Sequence, residues 1–442
     1  MAGEWKRIRL RNACTKIGSG ATPRGGSDVY LESGPYTLIR SQNVYNDGFH
    51  HEGLAYIGEG HAAELENVEV LKDDVLLNIT GDSVARACQV DPEVLPARVN
   101  QHVAIIRPDP GKLDPRFLRY FLVSPMMQSK LLSWAGSGGT RNALTKSMIE
   151  SFDVPAPEDI EEQRAIAYVL GTLDDKIELS RRMNETLEAM ARALFKSWFV
   201  DFDPVRANAE GRAPDLPAGV AELFPDQLND SELGEIPSGW TTGSILEQAT
   251  LLSGGTPKTD RNDYWHGSIS WASAKDVSQC GEMFLITTER SITQRGLEES
   301  ATQLVPAFCS VVVARGATTG RMVIFGREMA MNQTCYALAS RTNTPFVLHC
   351  QLRQRMDDLV HAAHGSVFDT ITTSTFNTTR FVLPPARVLA EFEKLLSPLF
   401  GRILTNSEEC LTLANLRDAL LPKLISGEVR VQRSDRLAKV TA

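Results

Sequence analysis

The sequence predicts a mixed α/β (α+β) protein with two homologous globular domains separated by two long coiled-coil helices, related as a pseudo-two-fold internal duplication. Three observations predict this class. A series of residues returns in the same order after roughly 230 positions, a heptad seam closes each copy, and strand-like apolar runs lead into polar loops at matching places. A chain of 442 residues is also too long for one ordinary core.

The repeat is clearest at Gly18-Ser19-Gly20-Ala21-Thr22-Pro23-Arg24, which returns as Leu252-Ser253-Gly254-Gly255-Thr256-Pro257-Lys258. Trp5 then matches Trp240, Tyr30 matches Tyr264 and Val44 matches Val277. The strand-like Val75-Leu76-Leu77 matches Val311-Val312-Val313, each followed by a loop ending in an arginine, Arg86 or Arg321. Asn100-Gln101 matches Asn332-Gln333, Gly136-Ser137 matches Gly365-Ser366, and Val154-Pro155 matches Leu383-Pro384. The period is too long for a solenoid and fits a duplicated domain-plus-helix unit.

The first copy ends in a seam of Ile166, Leu170, Leu173, Ile177, Leu187, Ala191, Leu194 and Trp198, spaced alternately four and three and interrupted by Ser180 and Asn184. The second repeats it with Phe392, Leu396, Leu399, Ile403, Leu413, Leu420 and Leu424. Asn406 and Cys410 fill the interruptions, and Arg417 stands opposite Ala191 in the match. A 3.5-residue period held this long is a coiled-coil signal. The polar interruptions read either as a register device or as a solvated notch. From Ile160 to Phe199 the first helix would be about 60 Å long at 1.5 Å per residue. The expected division is therefore a first domain over 1–155, a helix over 156–200, an extended connector rich in Pro and Gly over 201–235, a second domain over 236–385, a second helix over 386–430 and a tail over 431–442.

Composition bounds the partners. A net charge of −9 taken alone argues against nucleic acid. Residues 156–234, however, hold 8 Lys/Arg against 17 Asp/Glu and so carry the whole imbalance. The flanking domains are near neutral and can collect bases on one face. Seven scattered cysteines without a CxxC read as reduced thiols rather than a disulfide or zinc framework. His361 and His364 have helical ligand spacing but no companion, so no metal is expected. No apolar run suits a membrane span or a signal peptide, and the expected location is the cytoplasm.

Motifs for catalysis are not found: no phosphate loop, no nucleophile elbow, no HExxH, and no Asn/Asp-Pro-Pro-aromatic sequence. Binding candidates fall in the repeated loops. Thr22 with Arg24, and Thr256 with Lys258, could contact phosphate through hydroxyl, backbone N–H and charge. Gly and Pro alone would equally make a tight turn there. Arg40, Ser41, Gln42 and Asn43 sit where the second copy has Ser273, Ala274, Lys275 and Asp276. These are side-chain types that read base edges, and they differ between copies as half-site readers would; an ordinary polar loop is the alternative. Arg86 and Arg321, alike in both copies, suit phosphate positioning. Asn100-Gln101 and Asn332-Gln333 are identical and read as structural amides capping a turn, with DNA contact the lesser alternative. Arg141 has no basic counterpart and is a candidate contact for the first half alone.

Two further stretches carry a resemblance. Ile160-Glu161-Glu162-Gln163-Arg164-Ala165-Ile166 through Leu173-Asp174-Asp175-Lys176-Ile177-Glu178-Leu179, ending in Lys196-Ser197-Trp198-Phe199-Val200-Asp201-Phe202-Asp203-Pro204-Val205, resembles the central conserved region of type I restriction-modification specificity subunits. Leu416-Arg417-Asp418-Ala419-Leu420-Leu421-Pro422-Lys423-Leu424-Ile425-Ser426-Gly427-Glu428 is similar to their distal conserved region.

The resemblance implies two target-recognition domains, each reading half of a split, asymmetric site in double-stranded DNA. It implies that the two helices pack antiparallel between them and dock two modification (methyltransferase) subunits, with restriction (translocase-nuclease) subunits joining that core. On this reading the chain is non-catalytic and binds no cofactor. S-adenosylmethionine belongs to the modification subunits, and ATP and Mg to the restriction subunits. The main departure is that Pro398 and Pro422 interrupt the second helix where the first has Thr172 and Lys196, although a proline in a terminal turn is easily accommodated. The alternatives are a two-domain protein-binding scaffold without DNA specificity, and an enzyme with an unfamiliar site.

Overall fold

A computed structural model describes residues 5–136, 143–212, 216–363 and 370–431. The chain forms two compact units, Met1–Ile177 with Thr412–Ala442, and Glu178–Leu411.

In the first unit a four-stranded antiparallel sheet runs in the order Cys14–Ser19, Val103–Pro108, Val75–Asn78, Ala87–Gln89. A second sheet has the order Ala55–Ile57, Tyr36–Ile39, Ala97–Val99, Glu69–Val70, with the central pair parallel. The strand Lys6–Arg9 pairs with Asp153–Ala156 and so ties the beginning of the domain to its end. The second unit repeats this plan. Its sheets run Ala249–Ser253, Cys335–Ser340, Ser310–Val313, Met322–Phe325, Phe284–Leu285, and Arg290–Ile292, Trp265–Ala272, Met329–Met331, Leu304–Val305; the Trp265–Ala272 and Met329–Met331 pair is again parallel. Thr241–Ser244 pairs with Arg380–Leu383 as the corresponding clasp.

The strand Val75–Asn78 is buried on both faces, which is why its sequence is a continuous apolar run without alternation. Val75 and Leu77 pack toward the helices, with Phe117, Phe121 and Ile166, whereas Leu76 packs between the sheets with Ile39 and Val99. In the second copy Val312 takes the helix side and Val311 and Val313 the sheet side. Leu76 thus corresponds to Val311 and Leu77 to Val312. The sequence match of Val75-Leu76-Leu77 to Val311-Val312-Val313 is out by one residue and would have put helix-facing residues between the sheets.

The two long helices are Ile160–Phe199 and Ala386–Ser426. Within each unit the segments that pack together run antiparallel. In the first, Ile166 and Leu170 share a core with Leu421, Leu424 and Ile425, and Asp174 meets Arg417. In the second, Leu187, Ala191, Leu194 and Trp198 share a core with Phe392, Leu396, Leu399 and Ile403. Ile177 is buried; Leu173, Leu413 and Leu420 are half-buried. Trp198 and Phe199 each lie 4.8 Å from the Phe392 ring, so this end of the seam is aromatic rather than aliphatic. The polar interruption is buried, with Asn184 and Asn406 at 3% and 1% exposure, which excludes a solvated notch and leaves the register device.

Two expectations change. The second helix continues through Pro398 and Pro422. Both prolines and the residues four positions earlier, Lys394 and Asp418, are exposed, so the carbonyls that lose an N–H partner face water. The connector 201–235 is not extended: it forms the helix Asp203–Ala209 and the hairpin of Leu228–Ser231 with Gly234–Pro237. Phe202, Val205 and Phe224 enter the core beside Trp198 and Trp240, apolar burial that overrides the turn-forming composition. Among the described residues no helix is long and apolar enough to cross a membrane.

Candidate functional site

The repeated Gly-x-Thr-Pro loop is built twice on the same contact. Gly20 follows the strand Cys14–Ser19 and lies so close to the end of Ala97–Val99 that a Cβ would stand 1.9 Å from the Val99 carbonyl oxygen. At Gly254 a Cβ would stand 2.1 Å from the Asn332 carbonyl oxygen, so only glycine fits either place. The following threonine then locks the loop. Thr22 donates its hydroxyl to Gln101 Oε1, and Thr256 donates to Gln333 Oε1. Pro23 and Pro257 are buried, while Arg24 and Lys258 remain exposed at the loop tips. The tight-turn reading therefore accounts for Gly, Thr and Pro, and the basic residue is the part presented outward.

The adjoining amides are structural, as their identity in both copies suggests. Asn100 Oδ1 accepts from the His102 N–H at 3.1 Å, and Asn332 Oδ1 accepts from the Thr334 hydroxyl at 2.8 Å. In the first unit the network continues. Gln101 Nε2 lies 2.9 Å from His102 Nε2, and His102 Nδ1 lies 2.6 Å from Thr80 Oγ1. An amide N–H toward Nε2 leaves Nδ1 as the donating nitrogen, so the Thr80 hydroxyl hydrogen is left to point elsewhere.

That hydroxyl lines a cleft of about 900 Å³ open to the surface, which also collects Ser41, Gln42, Tyr45, Asp82, Ser83 and Arg86. Three predicted residues, Ser41, Gln42 and Arg86, thus come together. The Arg86 guanidinium stacks on the Tyr45 ring at 4.5 Å, which fixes its direction. Gln42 donates to the Gly53 carbonyl at 3.0 Å and Arg40 donates to it at 2.5 Å; the Arg40 guanidinium lies 5.5 Å from the Tyr30 ring. Asn43 is fully buried and donates to the His50 and Glu52 carbonyls at 3.0 and 3.1 Å, so its amide holds the turn.

In the second unit Ser273 caps the helix Ala274–Gln279 and forms a capping box with Asp276. Asp276 also accepts from the Glu289 N–H at 2.8 Å. Lys275 is exposed and paired to Glu289 at 2.7 Å. Arg321 is exposed and borders a polar cavity of about 490 Å³ with Glu282, Arg353 and Asp357. Arg141 lies outside the described residues. The cleft offers hydroxyls, an amide, an imidazole, a carboxylate and a stacked guanidinium, a set suited to recognising a polar edge. The buried Cys88 and Cys335 thiols are pushed up to about 12 by burial, too high for thiolate chemistry at neutral pH.

The family described as "Type I restriction modification DNA specificity domain" matches residues 3–189 and 237–408, once for each copy of the duplication. The chain belongs to this family of specificity subunits. It is 26% identical over 443 residues to the "Type I restriction enzyme HindI specificity subunit" of Haemophilus influenzae, covering 89% of this chain and 94% of that one. It is 26% identical over 349 residues to the "Type I restriction enzyme MjaIX specificity subunit" of Methanocaldococcus jannaschii, covering 76% and 74%. The fold is similar to that of the type I restriction-modification S subunit from M. genitalium, with a TM-score of 0.61, 13% identity and 97% of each chain covered.

For a specificity subunit, the residues that sequence reasoning missed are instructive. Tyr45, Thr80, Asp82, Ser83 and His102 all line the cleft. Of the loop between Val75–Asn78 and Ala87–Gln89, the repeat in the sequence singles out only the terminal Arg86. Its glycine, Gly81, repeated as Gly316, is the signal that could have drawn attention to the residues between.

Proposed function

We propose that this specificity subunit reads double-stranded DNA with its two globular domains, each taking one half of a split, asymmetric site. The observation that carries this reading is the duplicated scaffold. Two copies with the same strand order place different side chains at corresponding loops, the polar Ser41 and Gln42 in one and Ala274 and the charged Lys275 in the other. A protein that reads one sequence twice would keep those side chains alike; one that reads two sequences varies them. Membership in a DNA specificity family favours this over a protein-only scaffold.

On this reading Arg24, Lys258, Arg86 and Arg321 position phosphates, with Arg141 adding a contact in the first half. Ser41, Gln42 and Lys275 face base edges, while Arg40, Asn43, Ser273 and Asp276 shape the turns that hold them. The long helices hold two modification subunits. Leu179, Met190 and Leu395 of the second unit are exposed on helix faces turned away from its core, and Leu416 is exposed in the first. The seam residues themselves are occupied within the chain. The chain performs no chemistry and holds no cofactor: S-adenosylmethionine is bound by the modification subunits, ATP and Mg by the restriction subunits.

The test is to map methylated adenines in DNA from cells expressing the chain with its modification partner. A bipartite motif is expected, and exchanging residues 1–155 for those of another specificity subunit should change one half only. A continuous motif, or none with an assembled complex, would overturn the reading.

A further inference from the structure

The loop after Val75–Asn78 and the loop after Ser310–Val313 have the same backbone, bond for bond. Asn78 N–H donates to the Arg86 carbonyl at 2.8 Å, and Val313 to Arg321 at 2.9 Å. Ala85 donates back to Asn78 at 2.9 Å, and Gly320 to Val313 at 2.9 Å. Ile79 donates to His102 and Ala314 to Thr334; Leu144 donates to Ile79 and Ile371 to Ala314. Inside the loop, Val84 donates to Gly81 and Thr319 to Gly316, both at 3.1 Å. Gly81 and Gly316 have φ of 77° and 102°, and Ala85 and Gly320 have φ of 75° and 89°. An alanine held in the left-handed region costs on the order of 1 kcal/mol, so the neighbouring structure imposes this conformation.

The side chains on that fixed frame differ, most sharply in charge. Thr80, Asp82 and Ser83 in the first copy stand where Arg315, Ala317 and Thr318 stand in the second. Asp82, Arg315 and Ala317 are exposed, and the first set lines the open cleft beside Arg86. A pinned backbone presenting interchangeable, outward side chains is what a reader of variable chemistry requires, because a substitution changes the donor and acceptor pattern without moving the frame.

We propose that residues 80–83 and 315–318 are the specificity-determining loops, each setting base preference in the half-site its own domain reads. The inference rests on the DNA reading proposed above. It also assigns chemistry. Arg315 matches the two acceptors of guanine, O6 and N7, whereas Asp82 accepts from an exocyclic amine of cytosine; Thr80, whose oxygen accepts from His102, can donate, and Ser83 can complement either edge.

Motif mapping with the full chain and its modification partner tests this in two variants. Arg315→Ala should relax one guanine position in one half of the motif by roughly ten- to a hundred-fold, leaving the other half untouched. Thr80→Arg, Asp82→Ala and Ser83→Thr together, which import the second loop into the first, should alter the opposite half. If the triple exchange abolishes methylation, Asp82→Asn and Ser83→Ala singly decide, since neither disturbs the backbone bonds. The original motif retained by these variants would overturn the proposal, as would a uniform loss of methylation at every site with Arg315→Ala, the mark of a phosphate contact. A native chain with no bipartite motif would instead overturn the DNA reading beneath it.

Discussion

Asn406 donates its side-chain amide to Asn184 Oδ1 across 2.8 Å, in the buried middle of the helix pair of the second unit. Asn184 in turn donates to Ser407 Oγ at 3.2 Å, and Ser407 donates to Glu282 at 3.0 Å. Burying two amides is favourable only while each has its partner, so a one-turn slip of either helix would strand both. Asn184→Leu alone is expected to lower stability by about 1–3 kcal/mol, because Asn406 is left buried without its acceptor. Asn184→Leu with Asn406→Leu should recover much of that loss, since two apolar groups replace the amide pair and the buried Asn406 oxygen, which has no partner, is removed with it. A denaturant double-mutant cycle measures the coupling; additive effects would remove the register role.

Asp174 joins three elements of the first unit. It accepts from Arg119 at 2.7 Å, from the Tyr120 hydroxyl at 2.6 Å and from Arg417 of the second long helix at 2.8 Å. Burial would raise its pKa, but Arg119, Arg417 and Tyr120 outweigh it and hold the carboxyl below the usual carboxylate value. A depressed carboxylate stabilises fully above its unfolded pKa and loses that contribution as pH falls through the folded value. Asp174→Asn should therefore cost about 2–4 kcal/mol at neutral pH, because the buried Arg119 loses its carboxylate and Arg417 keeps only the exposed Asp418. The loss should shrink toward pH 2. An unchanged melting temperature at pH 7 would refute the pin.

Acid should act differently on the second unit. His349 is buried, with Nδ1 3.1 Å from Ser310 Oγ, and its ring lies 6.3 Å from that of Phe400. Burial, aided by the charge of Arg353, pushes its pKa down from 6.5 to about 3. The unfolded chain takes up a proton near the ordinary histidine value while the folded chain refuses it. Stability is therefore whole above that value and declines as pH drops from about 6.5 toward 3, by at most about 1.4 kcal/mol per pH unit. His349→Gln should flatten this slope between pH 6.5 and 4.5. The same slope in both proteins would assign the acid sensitivity elsewhere.

Much of this architecture is legible in the sequence because the duplication repeats every constraint. Trp5 and Trp240, the Thr-Pro loops and the two seams announce the same scaffold twice. The strand register was lost where it had to be: Val75-Leu76-Leu77 is buried on both faces, so no alternation marks which residue faces which layer. The connector misled because Pro and Gly report local turns, whereas Phe202, Val205 and Phe224 report a tertiary core. At the candidate site, the residue types were right but their commitments were hidden. Thr22 and Gln101 are 79 positions apart, and nothing local shows that one holds the other. Asn43 looks like a base reader by type, yet its burial makes it a turn residue.

Arg24 and Lys258 separate phosphate positioning from base reading. Each is exposed at the tip of a loop whose Thr and Gly hold the backbone, so removing the charge leaves the loop intact. If each neutralises one phosphate in the assembled complex, Arg24→Ala and Lys258→Ala should each reduce the slope of log K against log salt by about 0.9. Affinity should fall alike for all sequences, and the methylation motif should stay as it was. Titrating labelled DNA duplexes at several salt concentrations reads the slope. An unchanged slope in both variants would show that the exposed cations do not reach phosphate, and a changed motif would make them readers of sequence instead.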